Sequence, residues 1–131
     1  MEFRTKHFGT LHIGPGDELV FAHGLIGFDD CRRWALVEDP QAGSLAWMQS
    51  LDDQSLALGV ASPRRFVADY QIGVCRRDLA TIGLSTPQTA QVLALVSRHN
   101  DSVSMNLRAP LLINPQLRLG YQVVGSEAHS L

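Results

Sequence analysis

Only two cysteines occur in the 131 residues, Cys31 and Cys75, with no C-x-x-C and no histidine close to either. They lack the close spacing of zinc ligands, and in a reducing compartment buried free thiols, not a disulfide, are the expectation. Lysine is nearly missing too, since ten of the eleven basic residues are arginine. Set against 13 acidic residues they leave a formal net charge of -2 and a pI of 6.2. A dedicated nucleic-acid binder usually shows a basic patch and a pI above about 9, so direct nucleic-acid binding is not expected. The longest apolar stretches, such as Val92 to Val96, fall far short of the roughly 18 residues of a membrane-spanning helix. The first residues, MEFRTKHFGTLHIG, mix charge and polarity where a signal peptide has a basic cap and an apolar run. The expected location is the cytoplasm, with no membrane partner.

The local signatures of catalysis are also missing. There is no G-x-S-x-G and no S-x-x-K, and GLIGF at Gly24 to Phe28 has neither the glycine spacing nor the lysine of a phosphate loop. The histidines at 7, 12, 23, 99 and 129 do not form H-x-x-x-H, so no metal site and no cofactor are expected. The pairs Asp29–Asp30 and Asp52–Asp53 are adjacent, which in turns usually means that both face water. The chain therefore reads as a non-enzyme.

What remains is 45% hydrophobic sequence at a mean hydropathy of zero, enough for one soluble domain, expected over residues 1–125, with 126–131 as a loose tail. Hydrophobic periodicity sets its class. Val103, Met105 and Leu107 alternate with Ser104, Asn106 and Arg108, and Leu117, Leu119, Tyr121 and Val123 alternate with Arg118, Gly120 and Gln122. Period two predicts strands with one buried face. The short apolar runs 56–61 and 92–96 predict strands covered on both sides. Further strands are predicted at 2–8, 11–13, 18–21, 34–37, 45–49 and 111–113, with glycine, proline and aspartate between them. Helix is predicted only as single turns at 29–33 and at 76–82, the latter stopped by Gly83. The fold class expected is all-β: a single-domain, antiparallel, barrel-like fold with one or two short helical turns.

Charge is patterned. Eight of the 13 acids form the adjacent pairs Asp17–Glu18, Asp29–Asp30, Glu38–Asp39 and Asp52–Asp53, all at predicted turns or strand ends in the first half. Six arginines are paired as well, at 32–33, 64–65 and 76–77. Solvated turn charges explain both sets; an acidic rim that steers a basic protein is the sharper reading.

Several blocks stand in a telling order: FGTLHI at 8–13, FAHGLIGFDD at 21–30, WMQSLDD at 47–53 followed by LALGVASP, NLRAPLLIN at 106–114 and GYQVV at 120–124. Together they resemble the flagellar assembly factor family, FliW, over nearly the whole chain. The resemblance implies a barrel-like β protein that is not an enzyme, is a monomer when unbound, and binds the RNA-binding translational regulator CsrA and flagellin. In the implied partner switch, flagellin captures the assembly factor and so frees CsrA to repress flagellin synthesis; binding of CsrA relieves that repression. A small β-barrel for a small ligand or RNA is the alternative. Family members often carry proline where this chain has Ala22 and Ile26, and many are more acidic. Exposure and charge, not a matched motif, nominate Glu38, Asp39, Gln49, Ser50, Asp52 and Asp53 as partner contacts, together with Asn106.

Overall fold

Several strands of this chain turn one face into a barrel and have the other covered from outside, which is why they lack a clean polar side. The computed structural model describes residues 1–38, 45–70, 73–100 and 102–123. Its strands are β1 (Glu2–Thr5), β2 (Gly9–His12), β3 (Glu18–Phe21), β4 (Arg33–Glu38), β5 (Leu45–Ser50), β6 (Ala57–Ala61), β7 (Gln91–His99), β8 (Ser102–Met105), β9 (Leu111–Asn114) and β10 (Leu119–Gln122). One helix, α1 (Arg76–Thr81), and two 3-10 turns complete the regular structure of the described residues.

Seven strands close into a barrel in the order β6-β5-β4-β3-β10-β9-β7, with β7 returning to β6. The pairings are antiparallel except one: β10 runs parallel to β3, with Leu119 opposite Val20 and Gly120 opposite Phe21. Val96 of β7 lies opposite Gly59 of β6 and also opposite Met105 of β8, so the β7–β8 hairpin extends past the barrel wall. Its edge strand has no buried face. Val103 is 60% exposed, which corrects the expectation drawn from its alternation. β1 and β2 form a separate hairpin, seated by Phe3, Leu11 and Ile13 on Ala35 and Leu51 of the barrel.

The barrel interior is filled by side chains. Leu19, Phe21, Trp34, Met48, Val60, Leu111 and Ile113 are fully buried in one cluster, and each large apolar side chain removed from water contributes about 1.5–3 kcal/mol. Gly120 belongs to this packing. A Cβ there would lie 2.3 Å from Phe21 Cζ, so the phenyl ring occupies the space that any other residue would need.

A second cluster lies outside the barrel, where α1 and its flanks lay Leu79 and Ile82 on Leu112 and Val123, with Leu119 and Tyr121 packed against them. Asp78 Oδ2 accepts the Cys75 amide at the start of α1. At its end Gly83 takes φ 77°, and the amides of Gly83 and Leu84 return to Ala80 and Leu79, closing the helix in a Schellman motif. The predicted helix at 76–82 is therefore present. The turn predicted at 29–33 is not helical: residues 29–30 form a turn and Arg33 already begins β4. Covering by α1 also reverses the expected faces of β10. Leu119 and Tyr121 point outward under the helix, while Gly120 and Gln122 are the buried residues. Both cysteines are free, but Cys75 is exposed and Cys31 half-buried, so neither is the buried thiol expected. The expected tail at 126–131 lies outside the described residues.

Candidate functional site

Four of the nominated contact residues meet in the turn that joins β5 to β6, and the turn is built by the two that are least accessible. Gln49 and Ser50 are both 0% exposed. This corrects the premise of exposure on which they were chosen, because the β1–β2 hairpin and the neighbouring strands cover the end of β5. Ser50 Oγ accepts the amides of Asp52 at 3.1 Å and Asp53 at 3.0 Å. A serine hydroxyl folded back on the next amides in this way fixes a tight turn. Gln49 Nε2 donates to the carbonyls of Ser50, Asp53 and Gln54, while its Oε1 is buried with no partner among the described residues.

From this frame Asp52 and Asp53 project into solvent, as expected. They do different work. Asp52 Oδ2 accepts the main-chain amides of Arg32 at 2.8 Å and Arg33 at 2.9 Å, tying the turn to the start of β4. The Arg33 guanidinium is paired with Glu18, and the Glu18 carboxylate, by hydrogen bond and then by charge, raises its pKa above the ordinary arginine value. Asp53 Oδ1 accepts both the Ser55 hydroxyl at 2.8 Å and the Ser55 amide at 3.0 Å. The hydroxyl first and the amide second hold the Asp53 carboxyl below the usual aspartate range. The β1–β2 turn docks alongside, with Lys6 donating its amide to the Gln54 carbonyl and the His7 ring within 3.2 Å of the Ser55 carbonyl.

The other nominees lie elsewhere. Trp34 is opposite Ser50 and Glu38 opposite Ala46, so Glu38 is exposed at the far end of β4, about 13 Å along the strand at roughly 3.3 Å per residue. Asp39 lies outside the described residues. Asn106 follows β8; its amide bonds the Leu95 carbonyl and its Oδ1 accepts the Arg108 amide at 3.1 Å, a local turn leading into Pro110. No hydrogen bond links Asn106 to the Asp52–Asp53 turn. Asp52 is thus interleaved with the amides of Arg32 and Arg33, Glu18 with the Arg33 guanidinium, and Asp17 and Glu38 share another cleft, so arginine breaks up the expected acidic rim.

Sequence reasoning missed Gln122. Its Oε1 accepts the Ile26 amide at 2.8 Å and its Nε2 donates to the Ala109 carbonyl at 3.1 Å, binding the glycine turn to the barrel wall. Nothing in the alternation separates this buried glutamine from a solvent-facing one. Leu25 is buried, whereas Ile26 is 61% exposed. Asn114 is a second buried amide of this kind. It caps α1 through the Ile82 carbonyl and accepts the amides of Gln116 and Leu117 in the β9–β10 turn.

A cleft of about 430 Å³ beside the glycine turn is lined by His23, Asp29, Arg77, Thr81 and Tyr121 among others. His23 packs edge-on against Tyr121, with ring centroids 5.8 Å apart, and no hydrogen bond joins it to Asp29 or Thr81. Among the described residues no three His, Cys, Asp or Glu side chains cluster as a metal site, and no helix is long and apolar enough to cross a membrane.

Comparison with known proteins covers the same span. The family model described as "FliW protein" matches residues 2–130. The flagellar assembly factor FliW of Natranaerobius thermophilus is 36% identical over 127 residues, covering 95% of this chain and 84% of that protein. The factor of the same name from Lachnoclostridium phytofermentans is 33% identical over 129 residues, covering 95% and 83%. A solved chain, the crystal structure of the flagellar assembly factor FliW, superposes with a TM-score of 0.87 at 23% identity, covering 96% of this chain and 89% of that one, which shows the shared fold.

Proposed function

The chain belongs to the FliW family of flagellar assembly factors, and on that premise we propose that it is a non-enzymatic regulator in the cytoplasm that binds CsrA and flagellin in alternation. Capture by flagellin releases CsrA to repress flagellin synthesis, and capture of CsrA relieves that repression. The observation that supports this reading best is the β5–β6 turn. Its two carboxylates stand in solvent on a frame already fixed by Ser50, Gln49 and Ser55. A preformed acidic turn loses little conformational freedom on binding and steers a basic partner by its local field.

Asp53 is the contact to test, because it bonds only within its own turn, whereas Asp52 also holds the start of β4. Replacing both by lysine, as charge alone suggests, mixes lost contact with lost stability. In titration calorimetry with purified CsrA, Asp53→Lys is expected to weaken binding severalfold while lowering the melting midpoint less than Asp52→Lys does. Unchanged affinity removes Asp53 from the surface, and failure of the unaltered protein to bind either CsrA or flagellin rejects the partner switch. A ligand held inside the barrel is disfavoured by the filled interior.

A further inference from the structure

We propose that the edge of β4 at Leu36–Glu38 is a docking groove for an extended, basic protein segment, which adds there as a strand. β4 pairs with β3 only as far as Ala35, opposite Glu18, while its pairing with β5 continues to Glu38. The Leu51 amide bonds the Arg33 carbonyl, which places Arg33 in a hydrogen-bonded pair with β5. By alternation Ala35 and Val37 also turn their main-chain groups to β5, and Leu36 and Glu38 turn theirs to the side where β3 has ended. Three residues past Ala35, the last partner of β3, Glu38 therefore presents strand edge to a cleft, which is the arrangement that β-strand addition uses.

Three further observations define the occupant. The cleft measures about 350 Å³ and is walled on its other side by residues of the β1–β2 hairpin, including His12, so a single strand has a floor and a side wall. Arg118 lines it, held at φ 58°, with its Nε buried and without a partner among the described residues; only its Nη2 reaches the Asp17 carbonyl, at 3.4 Å. A buried donor of this kind is costly to leave unpaired, and a shift of the Arg118 side chain into the cleft would pair it with a main-chain carbonyl of an added strand. The side-chain charges of the cleft are the carboxylates of Asp17 and Glu38 against the one guanidinium of Arg118. Glu38 has no ion pair or hydrogen bond among the described residues, so the balance favours a segment carrying lysine or arginine.

This groove is separate from the Asp52–Asp53 turn, and the inference rests on the preceding reading only in taking the occupant to be protein. The test uses neither CsrA nor flagellin, so its failure leaves the partner switch standing and failure of the switch leaves the groove standing. The probe is an acetylated and amidated eight-residue peptide alternating valine and lysine, titrated into the full-length ¹⁵N-labelled protein. Two control peptides replace lysine by glutamate or methylate alternate main-chain nitrogens. The expected result is amide shift changes centred on Leu36, Glu38 and His12, a shifted Arg118 Nε–H resonance and slower hydrogen exchange of the Glu38 amide. The glutamate peptide binds about threefold more weakly, the range of an exposed ion pair, and the methylated peptide does not bind. Glu38→Lys, a change at an exposed strand end, reverses the preference between the charged peptides. No shifts at millimolar peptide, shifts centred elsewhere, or equal binding of the methylated peptide overturns the proposal.

Discussion

Asp52 reaches back across the barrel rim to Arg33: one carboxylate oxygen accepts the Arg33 amide at 2.9 Å and the Arg32 amide at 2.8 Å. An acid nominated as a partner contact from the sequence is therefore also a structural clamp between the β5–β6 turn and β4. Asp52→Ala leaves two amides without their acceptor. Hydrogen bonds to a charged group contribute about 1.5–3 kcal/mol each before solvent takes over part of the role at this exposed site. A net loss of about 1–2 kcal/mol in urea unfolding is expected, and a smaller loss for Asp53→Lys, which breaks bonds only within its own turn. Equal effects of the two substitutions contradict the division of labour.

Ser55 controls the titration of Asp53. The folded carboxyl is held below the ordinary value of 3.8 because Ser55 bonds its ionised form. The stabilisation is then present above the unfolded pKa and is lost as pH falls from 3.8 through the lower folded value. Ser55→Ala removes the hydroxyl donor and keeps the amide, so the Asp53 pKa rises part of the way back. Carbon-detected NMR titration of the side-chain carboxyl reads this directly, and an unmoved pKa shows that the hydroxyl is not the principal cause.

Gly120→Ala drives a methyl group into the Phe21 ring, 2.3 Å from Cζ. Overpacking of this kind costs about 1–3 kcal/mol. Phe21→Leu on its own loses apolar contact in the core, yet in the double variant it makes room for the added methyl. The two changes are expected to be less destabilising together than the sum of their separate effects, as measured by a double-mutant cycle in urea. Strict additivity means that the ring moves aside freely.

Ile26→Pro fixes one backbone angle of the glycine turn. Proline has no amide hydrogen, so Gln122 Oε1 loses the donor it now holds at 2.8 Å. A buried acceptor left unpaired costs about 1–3 kcal/mol, only partly offset by the reduced freedom of the unfolded chain, about 0.4–1 kcal/mol. A lower midpoint in thermal unfolding is expected. A raised midpoint means that Gln122 finds another donor or that turn rigidity outweighs the bond.

Strand positions were largely legible in the sequence, because period two and turn residues act locally. Glu18 to Phe21 is predicted and found with the same bounds, and the helix stop at Gly83 follows from one residue's conformational freedom. Which face of a strand is buried was less legible. Leu119 and Tyr121 read as the inward face, yet α1 covers them from outside and the barrel takes Gly120 and Gln122. That outcome depends on packing between segments far apart in sequence, which no local period carries. The candidate site shows the same limit. Asp52 and Asp53 are readable as exposed turn acids, but burial of Gln49 and Ser50 follows from the docked β1–β2 hairpin, and the orphaned Arg118 Nε from how β3 and β10 meet.

The parallel pairing of β3 with β10 makes barrel closure a late event. Every antiparallel neighbour pair from β3 to β6 forms between consecutive segments, so that half can assemble as the chain emerges from the ribosome. β3 nevertheless waits for β10, the last described strand, before its second edge is paired. Contacts between such distant segments carry a large loop-closure entropy and slow folding. Until then Leu19 and Phe21 lie on an open sheet, and a chain cut before Leu119 is expected to collapse without closing and to aggregate through the unpaired edges of β3 and β9.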